Sequence, residues 1–434
     1  MFERPQVGER AILIHVDFGE GDSQSRLQEL LELSTSAGAE PVDSIITSRK
    51  SPDAKYFVGT GKADEILDLI KMHEAELVIF NHALSPSQER NLEKKFECRV
   101  VSRTGLILDI FSQRAQSFEG KLQVELAQLR HISTRLIRGW THLERQKGGI
   151  GLRGPGETQL ETDRRLLGDR IKLLKQRLVK VRNQRGQGRQ SRKKAEIPTV
   201  SLVGYTNAGK STLFNQLTTA TVYAEDQLFA TLDPTLRKIS LPKHPTVILV
   251  DTVGFIRELP HDLVDAFRST LQETIEADLL LHVIDSVNPE KDSHIHEVKK
   301  VLTEIGADDV AMLEVYNKID LSEKSQVRVD RDDQGKPVRV WISAHKKLGL
   351  GELLNVIEEC LSDDIVMTTL NVDFTQGQIR SQLFREKCIN VERLNDDSTG
   401  WCFEVTMLRS TLHGLLKQYP DAISTEYEVI KEPW

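Results

Sequence analysis

Apolar and polar residues alternate over the first 112 positions in a way that predicts short strands separated by amphipathic helices. The apolar runs of strand length lie at 11–16, 77–80 and 98–101. The stretches with helical spacing of apolar residues lie at 24–37, 61–73 and 86–96. Because strands that alternate with helices favour a parallel arrangement, residues 1–112 are predicted to form a small α/β domain with a largely parallel sheet.

From about residue 113 the apolar spacing changes to heptads, which are typical of long paired helices. The first series is Leu122, Leu126, Leu129, Ser133, Leu136, Trp140 and Leu143, and the second is Leu167, Ile171, Leu174, Leu178 and Val181. We therefore expect a long antiparallel helical hairpin. Between the series, 147–157 contains five glycines and one proline, which would end the first helix, and Thr158 with Glu161 forms a capping box for the second. Residues 185–194 are predicted to be a flexible basic linker.

Strand and helix patterns return after the hairpin. Residues 197–362 contain short β-branched apolar runs, which predict a domain with a mostly parallel sheet. Beyond it, strand patterns lie at 365–372 and 401–407, and helical patterns lie near 376–387 and 410–418. The expected fold class is α/β in four parts, which are an N-terminal α/β domain (1–112), the helical hairpin with its linker (113–196), a central domain (197–362) and a small C-terminal α/β domain (363–434).

Composition places the chain among soluble globular proteins. Hydrophobic residues make up 39 % and charged residues 28 %, and no apolar run approaches the roughly 18 residues that span a bilayer. The first five residues lack the basic start and apolar core of a signal peptide. The four cysteines are far apart and lack the spacing of zinc ligands, so reduced thiols of a cytoplasmic protein are expected.

Charge is divided unevenly along the chain. Residues 113–196 carry 21 Lys and Arg against 8 Asp and Glu, a net charge of +13, whereas the remainder carries 37 against 57, a net charge of −20. A solvated charged coiled coil with a simple connector is the alternative interpretation of this segment. A connector needs only a few residues, however, and 147–157 has eleven. We therefore favour a hairpin whose tip reaches into a nucleic acid.

The central domain opens with a phosphate-binding loop. The pattern GxxxxGK[ST] follows an apolar run and precedes a helical pattern, and it comprises Gly204, Tyr205, Thr206, Asn207, Ala208, Gly209, Lys210, Ser211 and Thr212. Its glycines let successive N–H groups turn toward one anion at a helix N-terminus. Lys210 is predicted to bind the β- and γ-phosphates and the Ser211 hydroxyl to bind Mg²⁺.

Two switch motifs follow in the required order. In the first, Phe229, Ala230 and Thr231, Thr231 is expected to bring a hydroxyl to Mg²⁺ when a γ-phosphate is present. The second is a DxxG motif formed by Asp251, Thr252, Val253 and Gly254, which follows a buried strand pattern. Its aspartate would hold Mg²⁺ through water, and the glycine N–H would sense the γ-phosphate.

An NKxD motif selects the base. It is formed by Asn317, Lys318 and Asp320, and the base pocket is completed by Ser343, Ala344 and His345. An ionised aspartate only accepts hydrogen bonds, so Asp320 can take both the N1–H and the N2 amino group of guanine. Adenine offers no such pair of donors, and the sequence therefore predicts a GTPase. Lys210, Thr231 and Gly254 are its candidate catalytic residues, and Ser211, Thr231 and Asp251 its candidate metal ligands.

Two positions modify this prediction. Phe255 follows the DxxG motif where many GTPases have the glutamine that orients the attacking water, so intrinsic hydrolysis should be slow. Asn207 stands where cation-dependent relatives have an asparagine, which makes K⁺ a second candidate ion.

In the N-terminal part, Gly59-Thr60-Gly61-Lys62 imitates a phosphate loop, but Ala63 replaces the hydroxyl residue. A strand-to-helix turn is predicted there, with a second nucleotide site as the alternative.

On these motifs the chain resembles the HflX family of ribosome-associated GTPases. The resemblance covers about 10–361, including the switch Phe-Ala-Thr-Leu-Asp-Pro-Thr, the sequence Asp-Thr-Val-Gly-Phe and, as the most specific feature, the hairpin tip Gly-Gly-Ile-Gly-Leu-Arg-Gly-Pro-Gly-Glu-Thr-Gln. It implies binding of the large (50S) ribosomal subunit and its rRNA, with the hairpin loop near the peptidyl-transferase centre. It also implies rescue of stalled 70S ribosomes by separation of the subunits. The ribosome would then supply the orientation of the attacking water that Phe255 cannot provide.

Three functions stay open at this stage. They are a ribosome-splitting or rescue GTPase, a GTPase of large-subunit assembly, and a non-catalytic RNA-binding switch that uses GTP only for affinity. The expected partners are GTP and GDP, Mg²⁺ and the ribosome, with no DNA. Nothing in the sequence indicates a membrane partner, and we expect a cytoplasmic monomer.

Overall fold

The structure is a computed structural model, which describes most of the chain. The described residues are 8–19, 22–139, 155–194, 197–218, 228–241, 246–257, 271–322, 326–362, 365–386, 388–395, 400–408, 412, 415–416, 419 and 423–426. The chain separates into two compact units. The first comprises 1–239, 246–328 and 339–349, and the second comprises 240–245, 329–338 and 350–434. The division into four domains stays a prediction.

The N-terminal elements form the predicted α/β structure. In chain order they are β1 (Arg10–Asp17), α1 (Ser23–Ser36), β2 (Glu40–Ser48), α2 (Thr60–His73), β3 (Leu77–Phe80), α3 (Pro86–Phe96), β4 (Arg99–Ser102) and α4 (Arg103–Arg114). The four strands are all parallel, in the order β2-β1-β3-β4. Strand β2 was not predicted because it is an edge strand with Pro41 and several exposed polar residues. Helix α4 was missed because it is buried on most sides and lacks an amphipathic period.

Helices α5 (Phe118–Gly139) and α6 (Pro155–Lys194) form the arms of the hairpin. Leu122 and Leu126 of α5 pack with Leu174 of α6 in a small core of their own, in agreement with the heptad pattern. Trp140, Leu143 and the tip residues 147–154 lie outside the described residues.

Two predictions about the second arm are wrong. Helix α6 begins at Pro155, so Thr158 lies within its first turn and does not cap it. Proline is favoured at a first helical position, where its missing N–H has no intrahelical partner to lose. The helix also continues to Lys194 through the predicted linker. Two glycines in 185–194 each cost only about 1 kcal/mol in a helix, and the Arg, Lys and Gln residues beside them are good helix formers.

The central segment, 197–349, contains a seven-stranded sheet. Its elements are β5 (Thr199–Val203), α7 (Lys210–Thr218), β6 (Thr235–Ile239), β7 (Val247–Asp251), α8 (Gln272–Ile275), β8 (Leu279–Asp285), α9 (Lys291–Ile305), β9 (Met312–Asn317), β10 (Arg328–Arg331) and β11 (Pro337–Trp341). The strand order is β10-β11-β9-β8-β5-β7-β6, and β6 is antiparallel to β7. The predicted phosphate loop therefore leaves a central strand, between parallel neighbours on both sides.

One hydrophobic core joins the N-terminal elements, the root of the hairpin and the central segment. It contains Leu30 of α1, Phe111 of α4, Val124 of α5, Phe229 and Phe255, all almost fully buried. The rings of Phe111 and Phe229 meet edge to face with centroids 4.7 Å apart. The residues before and after the hairpin are thus packed into one body.

The second compact unit contains an antiparallel sheet. Its helices and strands are α10 (Leu350–Ser362), β12 (Ile365–Asp373), α11 (Gly377–Glu386), β13 (Ile389–Leu394), β14 (Gly400–Leu408) and β15 (Ile423–Glu426). The order is β13-β14-β12-β15, with all neighbours antiparallel. The strands at 365–372 and 401–407 and the helix at 376–387 agree with the sequence, whereas β13 and β15 were not predicted. Most of the helix predicted at 410–418 lies outside the described residues. No helix in the described part of the chain is both long and apolar enough to cross a membrane.

Candidate nucleotide-binding site

The phosphate loop connects β5 to α7 through backbone conformations that need glycine. Gly204 has φ +148°, and a Cβ there would lie 2.3 Å from the carbonyl oxygen of Val283. Gly209 has φ +92°, and a Cβ there would lie 2.3 Å from Nδ2 of Asn317. Both glycines thus permit a close approach that a side chain would block. The loop is held against β8 and the predicted base pocket.

Lys210 is the first residue of α7 and is buried inside the loop. Its Nζ donates to the carbonyl oxygens of Gly204 at 3.0 Å and Tyr205 at 2.7 Å. Burial lowers the pKa of Lys210 to about 8, against an opposing effect of the Asp251 carboxylate. The ammonium group is therefore held at the centre of the loop in a site that favours an added negative charge.

The affinity for GDP is expected to depend on pH through this amine. Below a pH of about 8 Lys210 is charged in the free protein, and above it binding requires uptake of a proton because phosphate favours the charged form. The affinity should therefore be constant below that pH and fall above it, by up to about tenfold per pH unit. Titration of fluorescent GDP at several pH values measures the slope. The phosphates of the nucleotide also titrate, and this affects the wild type and a Lys210→Arg variant alike. The difference between the pH slopes of the two proteins therefore isolates the effect of the Lys210 amine. Identical slopes would contradict the prediction.

The three predicted metal ligands meet at one point. Oγ of Ser211 lies 2.7 Å from Oγ1 of Thr231, and these hydroxyls donate to Oδ2 of Asp251 at 2.7 and 2.8 Å. We call Ser211, Thr231 and Asp251 the oxygen cluster. Its members come from α7, which follows β5, from the first switch segment, which leads into β6, and from the end of β7. They are adjacent because β5 and β6 are the two neighbours of β7 in the sheet.

The oxygen cluster fits Mg²⁺. Asp251 is fully buried, and its Oδ1 has no hydrogen-bond partner among the described residues. Burial raises the pKa of Asp251, while hydrogen bonds from Ser211 and Thr231 and the charge of Lys210 oppose the rise. Two hydroxyls and a carboxylate with a free buried oxygen are hard oxygen donors, which Mg²⁺ prefers. Within the described residues no group of three or more His, Cys, Asp or Glu side chains offers another metal site.

The DxxG segment lies against the phosphate loop. A Cβ on Gly254 would lie 2.7 Å from Cγ2 of Thr206 and 3.1 Å from Nζ of Lys210, so only glycine fits beside the lysine. The Phe255 N–H donates to the carbonyl oxygen of Gly204 at 3.1 Å, and the Thr206 N–H donates to that of Phe255 at 2.8 Å. The Phe255 ring is buried in the core, so this position places no hydrogen-bonding side chain beside the phosphate loop.

The base-pocket residues are joined to the phosphate loop by Asn317. Its Nδ2 donates to the Ala208 carbonyl oxygen at 3.0 Å, and its Oδ1 accepts the Ala344 N–H at 2.9 Å. Oδ1 of Asp320 is buried and has no hydrogen-bond partner among the described residues, as a guanine acceptor requires. Lys318 has φ +65° and pairs with Asp285 at 2.9 Å.

The other predicted site residues occupy different surroundings. Ser343 and Ala344 are fully buried, whereas His345 is exposed. Thr252 donates its hydroxyl to the Leu202 carbonyl oxygen at 2.6 Å, and Asn207 is exposed with φ +61°. Phe229 and Val253 are buried in the hydrophobic core, and Ala230 and Thr212 are half-buried. The structure thus gathers Lys210, the oxygen cluster and Gly254 around the loop, and places the Phe229 side chain away from them.

Sequence reasoning missed a buried polar network behind the phosphate loop. The Tyr205 hydroxyl donates to Glu29 of α1 at 3.0 Å and accepts the Arg257 N–H at 3.0 Å. The Arg103 guanidinium of α4 binds the same glutamate and the Arg257 carbonyl oxygen. The Tyr205 ring stacks on the His294 ring, with the two ring centroids 3.7 Å apart. An aromatic residue at a variable position of the loop was the one sequence signal for this network.

Comparison with protein families divides the chain into three matched segments. Residues 24–112 match the family described as GTP-binding GTPase N-terminal, and residues 114–192 match GTP-binding GTPase Middle Region. Residues 199–318 match the family described as 50S ribosome-binding GTPase. These segments cover the N-terminal elements, the hairpin and the candidate site.

Individual relatives extend the similarity to nearly the whole chain. The protein GTPase HflX of Escherichia coli strain K12 is 57 % identical over 98 % of this chain and 99 % of its own length. GTPase HflX of Caldanaerobacter subterraneus subsp. tengcongensis is 47 % identical over 88 % of this chain and 90 % of its own length. A solved structure of a GTP-binding protein from the archaeon Sulfolobus solfataricus, in complex with GDP, has a TM-score of 0.44 and 25 % identity over 81 % of this chain and 98 % of that one.

Proposed function

The chain belongs to the HflX family of P-loop GTPases, and on that premise we propose that it binds the large ribosomal subunit and separates stalled 70S ribosomes. The match of residues 199–318 to a 50S ribosome-binding GTPase family is the observation that supports the ribosome as partner. The basic hairpin is the part of the molecule that we assign to ribosomal RNA.

The surface of α6 supports this assignment. At 1.5 Å per residue, a helix from Pro155 to Lys194 is about 60 Å long. Only Leu174 is fully buried among the described side chains of α6, and the exposed ones include seven Lys and Arg against two Asp. The exposed cations are Arg164, Arg165, Arg170, Lys172, Lys175, Arg177 and Lys180. A long helix with cations around most of its circumference suits the phosphates of a folded RNA.

The nucleotide site has a defined role for each group in this proposal. Lys210 and the N–H groups of the phosphate loop bind the β- and γ-phosphates, and Asp320 accepts the two guanine donors. The oxygen cluster would hold Mg²⁺, which would neutralise charge on the phosphates. The Gly254 N–H senses the γ-phosphate. Asn207 is the proposed contact for K⁺.

Hydrolysis is expected to be slow in the free protein and faster on ribosomes. Because the buried Phe255 ring cannot orient a water molecule, another group must do so. Ribosomes should accelerate turnover at least about tenfold, or about 1.4 kcal/mol of barrier. Phosphate release is measured for the protein alone, with mature ribosomes and with large-subunit precursors. Equal rates alone and with mature ribosomes would contradict the proposal, and stimulation only by precursors would support an assembly GTPase instead.

The proposed roles of the hairpin tip and of the hairpin stem are tested with separate variants. Deleting 148–156 and closing the hairpin with a short turn should leave GTP binding intact, weaken 50S binding moderately and abolish subunit separation. The tip differs from the stem because its glycines permit close backbone approach to RNA and Arg153 can contact an unpaired base. Sucrose gradients of 70S ribosomes with GTP or a non-hydrolysable analogue measure separation. A deleted protein that splits 70S ribosomes at the wild-type rate would reduce the tip to a connector.

A variant that lacks cationic side chains of the stem is compared with the tip deletion. Replacing Arg164, Arg165 and Lys172 with alanine should lower 50S affinity and flatten its dependence on salt, because fewer counterions are released on binding. Arg170 is kept, since it pairs with Glu125 of α5 at 2.6 Å and its loss would also disturb the hairpin. An unchanged salt slope in the triple variant would place the RNA contact elsewhere.

A further inference from the structure

Helix α5, the first arm of the hairpin, begins with half of a capping box. The residue before it, Ser117, accepts the Gly120 N–H on its Oγ at 2.9 Å, which makes Ser117 the N-cap. In a complete capping box the residue at the third helical position returns a side-chain acceptor to the N-cap N–H. Gly120 occupies that position and has no side chain. The second acceptor must therefore come from outside the helix.

Asp233, two residues after Thr231 in the first switch segment, supplies that acceptor. Its Oδ2 accepts the N–H groups of Gln116 at 2.9 Å and Ser117 at 2.7 Å, and its Oδ1 accepts the Ser117 hydroxyl. A Cβ built on Gly120 would lie 2.1 Å from Oδ1 of Asp233. The carboxylate thus stands where a side chain at position 120 would stand, and it completes the capping box from a distant part of the sequence.

The rest of the segment is anchored on both sides. The Leu228 N–H donates to Oγ of Ser36 at the end of α1 at 3.1 Å, and the Phe229 ring packs on Phe111 of α4. Between these contacts and Asp233 lies Thr231, which belongs to the oxygen cluster. Six consecutive residues, 228–233, therefore join the metal site to the helices at the root of the hairpin.

We propose that Asp233 is a positioning residue, which holds Thr231 at the oxygen cluster by binding the start of α5. The inference rests on the proposed role of Thr231 as a ligand of Mg²⁺ when a γ-phosphate is bound. Because one carboxylate serves both the switch segment and the hairpin, binding at the two places is coupled. Such coupling is reciprocal. A partner that stabilises this arrangement of α5 raises the affinity for GTP, and GTP raises the affinity for that partner by the same factor.

Asp233→Ala is expected to lower the affinity for a non-hydrolysable GTP analogue at least about fivefold and to leave the affinity for GDP unchanged. A general loss of structure would lower both. Thr231→Ala is the reference and should show the same selective loss. Titrations of fluorescent nucleotides in Mg²⁺ measure all four affinities. If Thr231→Ala has no selective effect, the metal role proposed for Thr231 fails. If Thr231→Ala is selective and Asp233→Ala is not, the positioning role of Asp233 fails.

A substitution on the helix side tests the same contact without touching the switch. In Gly120→Ala the new Cβ displaces the Asp233 carboxylate, so the analogue affinity should fall as it does in Asp233→Ala, although alanine is the better helix former. Gly168→Ala on α6 is the matched control, because a Cβ there meets nothing within 4 Å, and it should change neither affinity. Unchanged analogue affinity in Gly120→Ala would overturn the proposal.

A double variant separates positioning from helix capping. Asp233→Ala with Gly120→Glu gives α5 its own capping box, with Ser117 and a glutamate three residues later. Asp233→Ala removes acceptors from the start of α5 and should lower the Tm. In the double variant we expect the Tm to return and the selective loss of analogue affinity to remain. Recovery of both would make Asp233 a structural cap only and would overturn the positioning role.

Discussion

Replacing Lys210 with alanine is expected to lower the affinity for GTP about 100-fold or more and the affinity for GDP at least about tenfold. Hydrogen bonds to charged groups contribute about 1.5–3 kcal/mol each, and the variant loses such contacts to two phosphates of GTP but to only one of GDP. The amine is buried and its pKa is depressed, so the free protein gains little stability from its charge. The Tm of the free variant should therefore stay near the wild-type value, while a GDP concentration that just saturates the wild type should raise the Tm of the variant much less.

A matched control for this substitution exists in the same chain. Lys62 ends the sequence Gly59-Thr60-Gly61-Lys62, which imitates the phosphate loop, but its Nζ pairs with Glu65 at 2.6 Å on the surface of α2. Lys62→Ala should leave both nucleotide affinities unchanged. A loss in Lys62→Ala as large as that in Lys210→Ala would instead revive a second nucleotide site in the N-terminal part.

The second large effect concerns the base. Asp320→Asn should lower GTP affinity about 100-fold and make xanthosine triphosphate the preferred nucleotide. The buried Oδ1 of Asp320 has no partner among the described residues, so a guanine donor satisfies it. In the variant an amide NH₂ at that place faces the donors of guanine, which it cannot accept. The same NH₂ can donate to the extra carbonyl of xanthine. Competition of the two nucleotides against a fluorescent analogue measures the exchange.

Asp308→Asn, in an exposed turn after α9, is the control for the loss of one negative charge and should leave the preference for GTP intact. If GTP and xanthosine triphosphate compete with Asp320→Asn as they do with the wild type, Asp320 is not the residue that selects guanine.

Local motifs explain how much of the site could be predicted from the sequence. Each phosphate, metal and base motif is a short run of residues at the end of a strand, and parallel strands bring such ends to one edge of the sheet. The meeting of Ser211 and Asp251 follows from that rule. Thr231 joins them because its segment leads into β6, which is antiparallel to β7 and so begins at the same edge. Three of the four strands and three of the four helices of the N-terminal part were predicted because each shows a local apolar pattern.

Contacts between distant polar residues could not be predicted. Asp233 and Ser117 are 116 positions apart, and Tyr205 and Glu29 are 176 apart, and no spacing rule links either pair. The linker prediction failed for a different reason, because polar composition with two glycines is compatible with both a flexible chain and the end of a long helix. Which of the two forms depends on the whole of α6 and not on residues 185–194 alone.

The edge-to-face pair of Phe111 and Phe229 has a consequence for biosynthesis. A chain folds as it leaves the ribosome, N-terminus first, and Phe229 is made about 120 residues after its partner. At roughly 10 residues per second, that delay is on the order of ten seconds. The N-terminal sheet can assemble meanwhile, but the Phe111 ring lacks its edge-to-face partner until the first switch segment has been translated. During its own synthesis the chain therefore presents an apolar surface that the finished protein conceals.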